Sequence, residues 1–352
     1  MLNPELIPTK GCAEIVIGMT KISVCTSARL HMGFFDLNGG LGRKFGGIGL
    51  ALDAPQLSLI ASAGNTSAPL LITALGDANA SVVAKATKIA SQMMTQLKIK
   101  GHLHLHIEQH IAEHAGLGSG TQLALAIGSA VSRLYHLNLS TLQIAQLAGR
   151  GARSGIGIAA FNDGGVLVDG GRAVDATITS KLPPLLARYD FPDAWRVLLI
   201  LDSSFPGIHG EDERSAFNQL PEFPANLAAH LCRHVLMQAM PALVEQDLTA
   251  FGLSIQELQM HVGDYFSPAQ GGRYASPLVA NVLQHLQHMG VACFGQSSWG
   301  PTGFAVFETD EAAQAHLQQL QSKFSDSALN WMVCGGRNHS AIIKSLPLTN
   351  TP

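Results

Sequence analysis

Apolar positions in this chain change their period repeatedly, and each change marks an element. Over residues 81–98, Val82, Val83, Ala86, Ile89, Ala90, Met93, Met94 and Leu97 recur every three or four positions, which predicts a helix with its methionines in the core. The next segment, HLHLHIE (102–108), alternates polar and apolar and predicts a strand with one buried face. A second helix is expected over 121–136, with Leu123, Ile127, Val131 and Leu134 on one stripe, and a third over 141–149. Short apolar runs at 22–28, 57–61, 164–169 and 196–202 read as strands. Helices follow near 225–249 and 277–289, with strands near 292 and 304–307. Strands and helices mix without regular βαβ alternation, so the fold class is α+β and not a doubly wound parallel sheet. Prolines in KLPPLLARYDFPDAW (181–195) break both periods, which makes this segment the linker between domains at 1–185 and 186–352.

Length supports that division, since 352 residues suit about two domains. With 47% hydrophobic and 13% charged residues, the chain has material for large cores and is not of disordered type. A net charge of −3 offers no basic field for a nucleic-acid backbone. No apolar run approaches the roughly 20 residues of a membrane span, and the N-terminus lacks the pattern of a secretory signal. Five dispersed cysteines, with no CxxC pair, fit a reducing compartment. A cytoplasmic protein is expected.

Glycine changes the picture. The 36 glycines gather at 39–49, 116–120, 149–157, 164–171 and 295–303, where backbone turns sharply or approaches a ligand. HAGLGSGTQ (114–122) lies between a predicted strand and a predicted helix. Such a turn aims free N–H groups and the positive end of a helix dipole at one point, which suits phosphate. It is neither a Walker loop nor a dinucleotide fingerprint, and an ordinary helix cap is the competing reading. The three histidines of HLHLH share one strand face and read as a solvated or interfacial face, not a metal site.

HAGLGSGTQLALA resembles the second motif of the GHMP kinase superfamily, P-x-x-G-L-G-S-S, with Glu113 in place of proline and Gly120 in place of the second serine. Three further blocks are similar to one branch of it, the beta-ribofuranosylaminobenzene 5'-phosphate synthases. They are SARLHMGFFDLNGGLGRKFGGIGLAL (27–52), GRGARSGIGIAAFNDGGVLVDGG (149–171) and GQSSWGPTGFAVF (295–307). This resemblance implies a two-domain GHMP-kinase-like fold, with a ribosomal-protein-S5-like N-terminal domain and a ferredoxin-like C-terminal domain. It also implies Mg²⁺ and a homodimer.

On these blocks, Arg29, Asp36 and Lys44 are the catalytic candidates. Arg29 suits a phosphate, an aromatic carboxylate or a structural acid, and His31 and Asp36 suit ribose hydroxyls or a metal. Substrate-binding candidates are His31, Arg43, Gly116, Leu117, Gly118, Ser119, Gly120, Thr121, Arg150, Arg153, Ser154, Ser297, Ser298 and Thr302. Trp299 reads either as a stacking surface or as core. Ser119 and Glu211 are the candidate Mg²⁺ ligands, with Asp212 and Glu213 beside the latter.

The reaction implied joins phosphoribosyl pyrophosphate to 4-aminobenzoate or 4-hydroxybenzoate with loss of pyrophosphate and CO₂, in tetrahydromethanopterin biosynthesis. An ATP-dependent small-molecule kinase on the same fold is the alternative, and a ligand sensor the third reading.

Overall fold

The computed structural model describes residues 20–64, 68–76, 80–175, 182–205, 207 and 220–347. Two long strands form its backbone: β1 (Thr20–Asp36) and β3 (Gly46–Ala63) pair antiparallel, joined through a short strand β2 (Arg43–Lys44). Both run well beyond the segments predicted at 22–28 and 57–61. Glycines interrupt their apolar alternation, and three register shifts along the ladder absorb the irregularity.

Strand β5 (Leu103–Gln109) pairs β3, and β4 (Leu70–Ala74) closes that edge in parallel. Helices α1 (Ala80–Gln96), α2 (Ser119–Leu134), α3 (Thr141–Leu147) and α4 (Ile156–Asn162) accompany this sheet. Of these, α2 is buried on nearly every face, from Gln122 to Ser132, and packs across β1 and β3.

The second sheet is antiparallel, in the order β10 (Cys293–Gln296), β11 (Gly303–Phe307), β9 (Arg196–Asp202), β12 (Leu329–Cys334). Its own apolar cluster includes Leu198, Ile200, Val282, Leu286, Phe294 and Ala313.

The C-terminal half holds more helix than the periodicity revealed. Following α5 (Ala225–His234) comes one π-helical turn (Val235–Ala239), then α6 (Met240–Glu245) and α7 (Leu248–Gln270). Helices α8 (Pro277–His288) and α9 (Asp310–Lys323) complete it. No element was predicted at 250–270 because Ser254 and Gln259 are polar yet buried, and Gly252, Gly263 and Pro268 blur the stripe. This helix packs on both β10 and β1 and so ties the two sheets together.

The predicted linker is not a plain connection. Leu185–Tyr189 forms β8, an edge strand that extends the first sheet through β6 (Val166–Asp169), with Pro183 and Pro184 just outside the paired stretch. At the far end, β13 (Ile342–Pro347) returns to pair with β1. The first sheet therefore draws strands from both sides of a cut at 185/186.

The return passes through a strap over 335–341. Gly165 N–H donates to the Arg337 carbonyl at 2.7 Å, and Arg337 N–H donates to the Ala51 carbonyl at 2.9 Å. The buried Arg337 guanidinium donates to Thr26 Oγ1 and to the Ala160 carbonyl, while Thr26 in turn donates to Gln122 Oε1. Gly164 sits beneath this strap at φ +67°, where a Cβ would lie 2.4 Å from the His339 carbonyl oxygen. Gly164→Ala therefore combines left-handed strain with a backbone clash. A loss of about 2 kcal/mol or more is expected in urea unfolding, and an unchanged midpoint would refute this account of the strap.

Candidate active site

The glycine loop is fastened by one carbonyl. Gly116 O accepts from Arg29 Nη1 at 2.5 Å and from Ser297 Oγ at 2.8 Å. Ser297 Oγ also accepts from the His31 N–H at 3.1 Å, and the Ser298 N–H donates to the His31 carbonyl at 3.1 Å. Arg29 N–H meets the Leu117 carbonyl at 3.0 Å. Strand β1, the loop before α2 and the turn after β10 thus converge on one point. The fit is closed by glycine: at φ +75°, a Cβ on Gly116 would stand 2.4 Å from the Ser297 carbonyl oxygen.

Beyond this knot the backbone opens. Gly118, left-handed at φ 81°, is the N-cap of α2 and brings no side chain over the helix mouth. Thr121 and Gln122 N–H both donate back to the Gly118 carbonyl, so Ser119 and Gly120 are the first helical donors beyond that bonding. Leu117 is buried, which leaves only its backbone for binding, and Thr121 packs its methyl against Gly157.

Positive charge gathers at the same mouth. A Cβ on Gly120 would lie 3.5 Å from both Arg150 Nη1 and Lys85 Nζ. Lys85, one turn into α1, is held by Glu113 at 2.7 Å, and Ser81 Oγ donates to the other Glu113 oxygen at 2.6 Å. Burial would raise the Glu113 carboxyl, but the bonds from Lys85 and Ser81 prevail and hold it below its usual range. Glu113, in place of the usual proline, holds Lys85, and Gly120, in place of the second serine, brings no side chain against it. The sequence reading missed Lys85. Its signal was Glu113, an acid on a glycine loop in need of a cation.

Arg29 and Arg153 both act on His31, whose side chain is almost fully buried. Burial, then the charge of Arg29, pushes its imidazole down to about 3, so the ring is neutral at any physiological pH. Its Nε2 has no hydrogen-bond partner among the described residues. The ring lies 4.4 Å from Phe34 and borders a small cleft of about 30 Å³ walled by Leu258, Val262, Phe266, Ser298 and Trp299. Trp299 is buried against Phe266, with ring centroids 4.6 Å apart.

Other sequence candidates are engaged in holding turns. Asp36 Oδ1 accepts from the Asn38 and Gly39 N–H groups, closing the turn after β1. The Arg43 guanidinium donates to the Gly170 and Gly171 carbonyls at 2.8 and 2.5 Å. Lys44 Nζ rests 5.6 Å from the Phe45 ring centroid. The Ser154 hydroxyl donates to Asp169 Oδ2 at 2.7 Å, with Gly155 and Gly171 N–H groups completing that carboxylate's shell. Asp169 was not a sequence candidate; burial pushes it up to about 6 despite these donors. Ser297 and Thr302 are wholly buried, so neither hydroxyl faces the opening, whereas Ser298 lines the cleft. Glu211 lies outside the described residues, as do Asp212 and Glu213. Among the described residues, no helix is long and apolar enough to cross a membrane.

Comparison with known proteins places this geometry in context. Residues 81–165 match the profile described as "GHMP kinases N terminal domain", and residues 239–326 match "GHMP kinases C terminal". The chain is 35% identical over 309 residues to a protein named beta-ribofuranosylphenol 5'-phosphate synthase from Archaeoglobus fulgidus, covering 86% of this chain and 92% of that one. A protein of the same name from Methanocaldococcus jannaschii is 35% identical over 297 residues, covering 80% and 88% of the two chains. The one from Methanothermobacter thermautotrophicus is 29% identical over 332 residues, covering 92% and 98%. In fold, the chain is similar to L. major mevalonate kinase (TM-score 0.66, 16% identity, 89% of this chain and 96% of that one). Mevalonate diphosphate decarboxylase from Staphylococcus aureus is also similar (TM-score 0.65, 12% identity, 92% and 98%).

Neutral, buried His31 makes stability depend on pH. An unfolded chain takes up a proton near 6.5 at this residue, and the folded protein only near 3, so stability is lost as pH falls through that window. The contribution is on the order of 5 kcal/mol at most. Asp169 acts with opposite sign between 3.8 and about 6 and is common to wild type and variant. Urea unfolding of His31→Asn between those limits should show a flatter acid-side decline than wild type; parallel curves would mean that His31 is not buried neutral.

Proposed function

Because the chain belongs to the beta-ribofuranosylphenol 5'-phosphate synthase family, built on the GHMP kinase fold, we propose that it transfers the phosphoribosyl group of phosphoribosyl pyrophosphate to 4-hydroxybenzoate or 4-aminobenzoate, releasing pyrophosphate and CO₂. It is a pentosyltransferase enzyme. The observation that supports this substrate most directly is the open N-terminus of α2 flanked by Lys85 and Arg150. Backbone donors and two cations there would hold a multiply charged phosphate, as they would in a kinase. The relatives' names specify the phenol product, which 4-hydroxybenzoate yields on losing its carboxylate.

The chemistry asks the protein to align and shield its substrates. As the bond from ribose C1 to the pyrophosphate oxygen breaks, its electron pair leaves with pyrophosphate and positive charge builds on C1. The ring carbon bearing the carboxylate, enriched by the para oxygen or nitrogen, attacks C1. The electron pair of the C–CO₂⁻ bond then returns to the ring as CO₂ departs. No proton need move at the reacting carbons, which agrees with a neutral His31 and with carboxylates engaged by backbone and lysine. Lys85, Arg150 and the α2 donors would stabilise the leaving charge. Arg29, which holds the loop, would also meet the acceptor carboxylate.

Mg²⁺ belongs to this reading. The Ser119 hydroxyl at the helix mouth is a hard oxygen donor that fits it, with substrate phosphate oxygens and water as further ligands. When bound, the ion would add positive charge against the departing pyrophosphate. A homodimer in the cytoplasm is likewise carried forward, supported for the dimer by exposed Leu236, Met237, Val244 and Leu253 on three successive helical segments.

The test incubates the protein with phosphoribosyl pyrophosphate, Mg²⁺ and carboxyl-labelled 4-hydroxybenzoate or 4-aminobenzoate and counts released CO₂. Release with one of them is expected, and ADP formation on another acceptor without release would instead favour the kinase. Lys85→Met should raise KM for phosphoribosyl pyrophosphate by about 10- to 100-fold, the worth of one charge-assisted contact. An unchanged KM would remove Lys85 from the phosphate cradle.

A further inference from the structure

Away from the cleft, two helices present a second constellation. His230 and His234 lie four residues apart on α5, and Glu257 and His261 four residues apart on α7, so each pair shares one helix face. The two faces meet. His230 Nε2 is 2.9 Å from Glu257 Oε2, and His261 Nε2 is 3.4 Å from the same oxygen. One ligand atom from each of His230, His234 and Glu257 falls within 4.8 Å of the others. The His230 ring stands 4.5 Å from that of His234 and 5.7 Å from that of His261.

We propose that His230, His234, Glu257 and His261 form a binding site for a first-row transition-metal ion, Zn²⁺ foremost, that clamps α5 to α7. Tetrahedral zinc with bonds of about 2.0–2.1 Å sets neighbouring ligand atoms roughly 3.3 Å apart. His230 and His261 stand at 2.9 and 3.4 Å from Glu257 Oε2, and the rings of His234 and His261 would close on the ion as it binds. Three imidazoles and one carboxylate suit zinc, cobalt, nickel or copper and do not suit Mg²⁺, so this site differs in kind from the phosphate cradle.

Second-layer bonds support the assignment. His234 Nδ1 lies 2.9 Å from Gln238 Oε1, which fixes the ring with Nδ1–H donating and leaves Nε2 for the ion. The π-helical turn Val235–Ala239 brings Gln238 to this position, and Ser254 Oγ, 3.1 Å from the His234 carbonyl, tethers that turn to α7. The four side chains are partly exposed, so an ion has a route in.

The site has a structural consequence for the cleft. Glu257 precedes Leu258 and Gln259 on α7; Leu258 lines the cleft, and Gln259 Nε2 donates to the Met32 and Gln296 carbonyls. A metal between α5 and α7 would hold this wall in place. His104 and His106 on β5, with His102 just before it, are the competing imidazoles, and Thr73 Oγ1 already lies 2.8 Å from His106 Nδ1.

The experiment uses the untagged full chain, stripped with a chelator, and titrates Zn²⁺ alone against a competing chromophoric chelator. One equivalent should bind, and the melting temperature should rise with it. Co²⁺ in its place should give the intense visible absorption of a tetrahedral site. In His230→Ala/His261→Ala, affinity should fall at least 100-fold and the thermal shift should vanish, while His104→Ala/His106→Ala keeps both. Absence of a saturable single equivalent overturns the proposal, as does retention of affinity in the α5–α7 variant. Loss of binding in the β5 variant instead would assign the ion to the histidine strand. If the α5–α7 variant does not fold, the Co²⁺ spectrum of the wild type decides: octahedral, weak absorption would sink the site.

Discussion

The Gly116 carbonyl is where the parts of this protein are held together. It accepts from Arg29 on β1 and from Ser297 beyond β10, so one acceptor joins a strand of the first sheet to a turn of the second. The Ser297 side chain is fully buried, so water does not compete for its place, and Gly116 has no room for a Cβ. With its carbonyl fixed inward, the loop must turn its later N–H groups outward at Ser119 and Gly120. The direction of the α2 mouth follows from that bond.

Charge then decides what the mouth receives. In this chain the acid at Glu113 recruits Lys85 from α1, and the glycine at position 120 leaves that ammonium and Arg150 close to the helix start. The helix mouth is thereby bordered by the Arg150 guanidinium and by an ammonium held in place by its acid, an arrangement that suits a phosphorylated substrate. His31 is neutral, and the Asp169 carboxylate is held by the Ser154 hydroxyl and by backbone donors. Such a site favours a reaction driven by alignment and charge over one driven by acid–base transfer.

Helix α7 links this site to the rest of the molecule. Its buried Gln259 bonds to carbonyls of both β1 and β10, so the wall of the cleft and the joint between sheets are one element. The same helix carries Glu257 and His261 on another face, which couples the imidazole cluster to the cleft through a rigid rod.

Periodicity and motif alone determined a good part of this. The α1, β5 and α2 segments were legible because each keeps one buried face over several turns or residues, and the glycine loop was legible because left-handed backbone demands glycine. The α+β class and the GHMP kinase family followed from order and motif. Tertiary structure alone decided which charges reach the ligand. Asp36 binds N–H groups of its own turn, whereas Arg43 reaches the carbonyls of Gly170 and Gly171 and Ser154 the carboxylate of Asp169, partners that the fold brings near. Lys85 looks like a solvated helix lysine, yet it stands at the loop. A side chain's partners depend on which elements are packed beside it, and that is set by contacts between residues far apart in the chain. Helix α7 stayed hidden for the same reason: its polar residues are buried against carbonyls supplied by strands that only the folded chain brings near.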